Sequence, residues 1–89
     1  MSHFLLIQHK VANFQKWKRG YDTHRAARRA AGLTQRSLLR TVADPNDVVV
    51  LFAVRDLRKA RAFVASDDLR ETMQRVGVVG MPTVQFLKG

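Results

Sequence analysis

Trp17, Tyr21 and His24 stand at i, i+4 and i+7 of a segment whose apolar residues recur every three or four positions. On a helix that spacing lines an indole N–H, a phenol and an imidazole along one inner face. An aromatic wall with a few polar tips suits a flat organic ligand, and a histidine can move protons near neutral pH. The same three residues also suit core packing, with their polar ends satisfied locally. His9 ends the first apolar run on the side of Leu5, Ile7 and Val11. It joins the group if that side faces the helices, and is otherwise a hydrogen-bonded core histidine. His24 and His9 are therefore the candidate proton-transfer residues. Trp17, Tyr21, Arg28, Arg36 and Phe63 are the candidate substrate-binding residues. Arg28 interrupts the apolar helix stripe, while Arg36 and Arg40 fall on the second strand. Each could clamp a carboxylate or phenolate. Each could equally reach solvent along its apolar stem or pair with Asp44, Asp47 or Asp56.

Other chemistries find little support. The absence of cysteine excludes a disulfide framework, thiolate metal sites and thiol nucleophiles, and fits a reducing cytoplasm. His3, His9 and His24 have no metal-binding spacing, and Glu71 is the only glutamate. Gly77 and Gly80 make a turn rather than a phosphate cradle, and neither Ser37 nor Ser66 sits in a nucleophile elbow. No metal and no cofactor is expected.

The elements that must position these residues follow from pattern and punctuation. Phe4 to Val11 reads as a strand. Asn13 caps a helix from Phe14 to about Ala31, closed by Gly32. Its stripe of Phe14, Trp17, Tyr21, His24, Arg28 and Ala31 faces the core. Gly20 costs the helix about 1 kcal/mol relative to alanine, so tertiary contacts must compensate. Leu33 to Ala43 forms a second strand, and Asp44-Pro45-Asn46-Asp47 turns the chain into a third, Val48 to Val54. Asp56 caps a helix in which Leu57, Ala60, Phe63 and Val64 share a face. Ser66-Asp67-Asp68 opens a further helix ending at Gly77, and Gly80-Met81-Pro82 breaks the chain before a last strand, Thr83 to Leu87. Residues 1–89 thus make one α+β domain of order βαββαβ. Right-handed crossovers place its helices on one face of a four-stranded antiparallel sheet, the ferredoxin-like arrangement.

Val48 to Val54 and Phe4 to Ile7 are apolar on both faces. The chain's own helices cover only one of them, and an exposed apolar sheet face is seldom tolerated by a monomer. A second copy is the simplest cover, so a homodimer is expected.

Several segments carry a family likeness. They are Asn13-Phe14-Gln15-Lys16-Trp17, His24-Arg25-Ala26-Ala27-Arg28, Ala43 to Leu51, Ala62 to Leu69, and Gly77-Val78-Val79-Gly80-Met81-Pro82. In this order the chain resembles the dimeric α/β-barrel superfamily, in particular small bacterial proteins similar to the antibiotic biosynthesis monooxygenases and often labelled cyclases. The resemblance implies two sheets closing into a barrel at a dimer interface, with a cleft between helices and sheet in each protomer. Cofactor-free monooxygenases of this superfamily hold an oxygen-reactive substrate with polar and aromatic side chains. Their asparagine, tryptophan and tyrosine pattern is not matched residue by residue; only a tryptophan and a tyrosine on the first helix, Trp17 and Tyr21, are similar. Haem degraders of the superfamily use a helix histidine, and nothing in this chain is specific to them.

The formal charge of +9, from 16 Lys and Arg against 7 acidic residues, could draw nucleic acid, anionic lipid or acidic small molecules. The basic residues are spread over every element, and the densest cluster, Arg25, Arg28 and Arg29, is short. Met1 to Lys10 holds only four consecutive apolar residues, too few for a secretory or membrane-spanning segment, so a cytoplasmic protein is expected. Three readings compete. One is an enzyme, monooxygenase- or cyclase-like, acting on an aromatic or polyketide-like compound. Another is a non-catalytic homodimer that is structural or binds an aromatic or anionic ligand in the same cleft. The last is a nucleic-acid binder, which ranks lowest because the third strand offers only Phe52 for base stacking.

Overall fold

In the computed structural model, residues 2–89 are described. The order is β1 (His3–Val11), α1 (Phe14–Thr23), α2 (Arg25–Ala30), β2 (Leu33–Arg40), β3 (Asp47–Val54), α3 (Leu57–Val64), α4 (Asp67–Arg75) and β4 (Val78–Lys88). The strands form one antiparallel sheet in the order β2-β3-β1-β4, so the two longest apolar runs lie side by side at its centre. This is the expected α+β, ferredoxin-like architecture with its helices on one face.

The caps act as the residue types dictate. Asn13, Asp56 and Ser66 each accept a hydrogen bond from the backbone N–H three residues on, at Lys16, Lys59 and Leu69. Gly32 (φ 77°) and Gly77 (φ 88°) follow the ends of α2 and α4, where a left-handed residue releases the chain from the helix. In the β2–β3 turn, the Asp44 carboxylate accepts from the Asn46 N–H at 2.9 Å and the Asp44 carbonyl from the Asp47 N–H at 3.0 Å.

Three boundaries differ from expectation. β2 ends at Arg40 rather than Ala43, because the Thr41 hydroxyl donates to the Asp44 carbonyl and accepts from the Asp44 N–H, drawing that segment into the turn. The long first helix is divided at His24 (φ −88°, ψ 11°), whose N–H is shared between the carbonyls of Gly20 and Tyr21. That turn tightens toward 3₁₀ geometry, a local change that hydrophobic periodicity does not register. The last strand is also longer than expected. β4 starts at Val78, and between Gln8↔Thr83 and Lys10↔Val79 it has three residues against one on β1. Gly80-Met81-Pro82 therefore bulges out of an edge ladder instead of ending it, with Gly80 at φ 74° supplying the bend.

The two sheet faces separate cleanly. Leu5, Ile7, His9 and Val11 on β1, with Val48, Val50 and Phe52 on β3, point at the helices and are buried. Trp17, Ala31, Ala60 and Val76 pack on them from above. Register places Phe4, Leu6, Val49, Leu51, Leu39 and Leu87 on the other face, half-buried or exposed.

The first helix meets the end of α4 at Gly20. A Cβ there would lie 2.0 Å from Val76 Cγ1 and 3.1 Å from Val76 Cβ, and Val76 is itself buried. The missing side chain is the compensating contact that the helix's lower propensity requires. Gly20→Ala should therefore destabilise the fold by about 1–3 kcal/mol despite the better helix former. Adding Val76→Ala should recover part of the loss, as read by chemical denaturation of the single and double variants.

Candidate active site

The sheet's inner face and the first helical layer bring the predicted residues together. His9, Trp17, Tyr21, His24, Arg28 and Phe63 all line one cavity of about 50 Å³. Ile7, Val50 and Phe52 form its floor, and Leu69, Thr72, Met73 and Val76 close it from α4. Arg36 stands apart. It is exposed at the register shift in β2 between Gln35 and Ser37 and does not line the cavity.

One wall is a stack. Trp17, 2% exposed, lies against Tyr21 with ring centroids 4.8 Å apart, and Tyr21 reaches Phe52 at 6.5 Å. The Arg28 guanidinium covers the other side of Tyr21, its Cζ 3.6 Å from the ring centroid, and Nη1 donates to the Tyr21 carbonyl. Arg28 is thus buried against Tyr21 of α1 rather than paired with Asp44, Asp47 or Asp56. The Tyr21 hydroxyl donates to Gln35 Oε1 at 2.7 Å. Burial pushes the phenol above its usual range. Arg28 and Arg25 oppose that shift, while Asp22 adds to it.

His9 sits edge-on to Trp17, centroids 5.5 Å apart and 6% exposed. Neither ring nitrogen has a hydrogen-bond partner in the protein. This is rare for a buried polar group, because an unsatisfied donor or acceptor costs about 1–3 kcal/mol. Burial holds the imidazole below its ordinary pKa, with Asp47 pulling weakly the other way, so the ring is neutral at pH 7. A neutral imidazole offers one donor and one acceptor to whatever enters the cavity.

His24 is placed differently. Its ring stacks on Phe63 with centroids 5.8 Å apart, and Nε2 lies 2.9 Å from Asp68 Oδ2. A carboxylate on one ring nitrogen fixes the tautomer and orientation of the other, the arrangement of a histidine base. From sequence, Asp68 has a place only in the opening turn of α4. It lies 44 residues from His24, and no local motif could announce the pair. Thr72 and Met73 were likewise missed, because a helix position three or four residues along gives no sign of which cavity it will close.

Beside the cavity, a groove of about 360 Å³ runs between α4 and β4, floored by Val78, Val84 and Pro82. The two spaces share Ile7, Leu69 and Met73, so only these side chains divide them. The inner cavity alone is smaller than an ordinary ligand site of roughly 300–1,000 Å³, whereas the groove reaches that range. Among the described residues, no group of three or more His, Cys, Asp or Glu converges as a metal site, and no helix is long and apolar enough to cross a membrane.

Solved structures share this fold over nearly all of this chain. A protein from Bordetella bronchiseptica, named as a candidate antibiotic biosynthesis monooxygenase, superimposes with a TM-score of 0.76 at 17% identity over 100% of this chain and 98% of its own. The fold is that of the antibiotic biosynthesis monooxygenase-like proteins. SnoaB, a cofactor-independent oxygenase from Streptomyces nogalater, shows the same monooxygenase-like fold with a TM-score of 0.74 at 13% identity, covering 99% of this chain and 92% of SnoaB. A NIPSNAP-like domain protein from Burkholderia xenovorans reaches 0.69 at 15% identity over 99% and 84% of the two chains. Identities this low establish the fold alone. No protein-family model and no curated protein sequence matches the chain.

The unpartnered imidazole makes a direct thermodynamic prediction. His9 resists protonation when folded but not when unfolded, so its contribution is complete above about pH 6.5 and is lost as pH falls below that value. His9→Leu should be at least as stable as the parent at pH 7. Its advantage should widen between about pH 6.5 and 5, as read from thermal denaturation of both proteins across that range.

Proposed function

We propose that the chain binds a small aromatic or polyketide-like compound in the joined space of cavity and groove and acts on it as a cofactor-independent monooxygenase- or cyclase-like enzyme. The observation that carries this reading is His9, a buried imidazole with both nitrogens unpartnered at the end of an aromatic cavity. A polar group left in that state makes sense if a ligand hydroxyl or carbonyl completes it. His24, held by Asp68, is the base that takes a proton from a phenol or enol. The resulting anion is electron-rich enough to react with dioxygen or to close a ring. Trp17 and Phe63 hold the flat body of the compound, and the Arg28 charge behind Tyr21 favours the anionic form. The oxygenase activity of SnoaB, which has the same fold, supports this choice of reaction.

A thermal-shift screen of hydroxylated aromatic acids and polyketide-like compounds should find ligands that raise the melting temperature of the parent and not of His9→Leu. With such a ligand under air, His24→Ala should lose turnover by about 10²–10⁴-fold while keeping its fold, and Asp68→Asn should lose less. Binding without any product or oxygen uptake in the parent would favour the alternative of a non-catalytic ligand-binding protein.

We also propose that the chain is a homodimer closed through the outer sheet face. Phe4, Leu6, Val49, Leu51, Leu39 and Leu87 lie together there, and a two-fold pairing of like faces buries them without any further partner. Light scattering should give the mass of two chains at micromolar concentration. Leu51→Lys should shift the protein to single chains; a parent already of one-chain mass would sink this reading.

A further inference from the structure

A second concave region lies on the other side of Arg28, where α2 meets the edge strand β2. One hollow of about 290 Å³ is lined by Arg25, Arg28, Arg29, Leu33, Thr34 and Gln35. Its neighbour, about 260 Å³, is lined by Arg29, Gly32, Leu33, Thr34 and Arg55. They share Arg29, Leu33 and Thr34 and so form one cleft, walled by four arginines and no carboxylate. Arg25, Arg28 and Arg29 share a face of α2 at i, i+3 and i+4. Arg55 arrives from the end of β3, where its backbone N–H donates to the Gly32 carbonyl at 2.9 Å.

Ordinary structural roles do not account for this gathering. Among the described residues the ion pairs are Lys18–Asp22, His24–Asp68 and Arg70–Asp67, and none involves the four arginines. Arg28 and Arg29 could complement the negative end of α2, but Arg25 opens that helix and Arg55 lies outside it. Arg28 is the decisive residue. It is only 8% exposed and forms no ion pair among the described residues, its guanidinium anchored by the Tyr21 ring and carbonyl. Buried cations are normally paired. Burial and Arg25 both work against its protonation, while Tyr21 and Asp22 offset them in part.

We propose that this cleft binds a small, multiply charged oxyanion, a diphosphate or phosphate ester, with Arg28 at its base, Arg25, Arg29 and Arg55 at its rim, and the Thr34 hydroxyl as a further donor. Arginine forks match tetrahedral oxyanions in both charge and geometry. The space suits a small anion better than a nucleic-acid strand. The large apolar side chains exposed on the described surface are Leu39, Val42, Val79, Met81 and Leu87, none of them an aromatic platform for bases. The site does not depend on the aromatic cavity having a substrate.

Inorganic diphosphate titrated into the full chain at constant ionic strength tests the assignment. Melting temperature should rise saturably, and the emission of Trp17, the only tryptophan, should change through the Arg28–Tyr21–Trp17 stack. Arg29→Ala and Arg55→Ala remove exposed side chains and should each weaken binding by about tenfold or more. Lys10→Ala removes the same charge from an exposed position at the opposite end of the sheet, where β1 pairs with Asp47, and should leave binding unchanged. Equal weakening by Lys10→Ala, or a rise that sodium chloride reproduces, would overturn the site in favour of net charge. A single-stranded oligonucleotide that binds more tightly than diphosphate and responds to the same variants would overturn the small-anion assignment.

Discussion

The contact of Trp17 with Tyr21, laid across the buried faces of β1 and β3, is the joint from which both fold and site are built. Trp17 reaches His9 on β1, Tyr21 reaches Phe52 on β3, and the pair fixes how the first helix lies over the two central strands. Trp17 and Phe52 are the large aromatic members of a buried core that is otherwise aliphatic. The cavity is what remains where those flat rings and the rounder side chains of α4 fail to fill the space. Because the rings are core residues, their packing makes the cavity wall rigid, and the choice between core and pocket lining dissolves. They are both.

Much of the architecture was legible because it is written in local chemistry. Asn13, Asp56 and Ser66 cap helices where short polar side chains can reach the third N–H, and Gly32 and Gly77 end helices where only a residue free of a Cβ sits comfortably at positive φ. Two of the misread boundaries share a cause. Whether the helix tightens at His24, and whether β4 survives Gly80-Met81-Pro82, depends on a neighbouring element: α4 beneath His24 and β1 beside the bulge. The site divides in the same way. One helix face announces Trp17, Tyr21 and His24, whereas Asp68, Thr72 and Met73 become neighbours of that face only through tertiary packing.

The central strands show how a pattern can mislead about faces and still be informative. Val48 to Val54 carries no alternation in its residue types, yet its burial alternates, with Val48, Val50 and Phe52 inward and Val49 and Leu51 outward. Residue type therefore reports demand for cover, and structure reports which demand one chain meets. The outer leucines and valines are the unmet part. Asp47 accepts from Gln8 Nε2 at 3.3 Å toward one end of that face, a polar boundary to the apolar field.

Charge follows a similar logic. Sixteen basic residues over so small a surface must repel one another, and most relieve that repulsion by extending into water. Arg40 instead lies over Phe14, its Cζ 3.8 Å from the ring centroid, with Nε donating to the Pro45 carbonyl, so its cation is spent on local structure. Arg28 has similar anchors but sits deeper and beside three further arginines. An anchor that holds one cation explains its position; it does not explain why others gather around it, since each added arginine raises the energy of the first. Such an arrangement persists without loss of stability only where something of opposite sign shares the space. Arg28 has the aromatic cavity on one side and the arginine cleft on the other. An anion drawn to the cleft would pull on the guanidinium that backs Tyr21, and through Tyr21 on Trp17, which makes the two spaces neighbours in energy as well as in position.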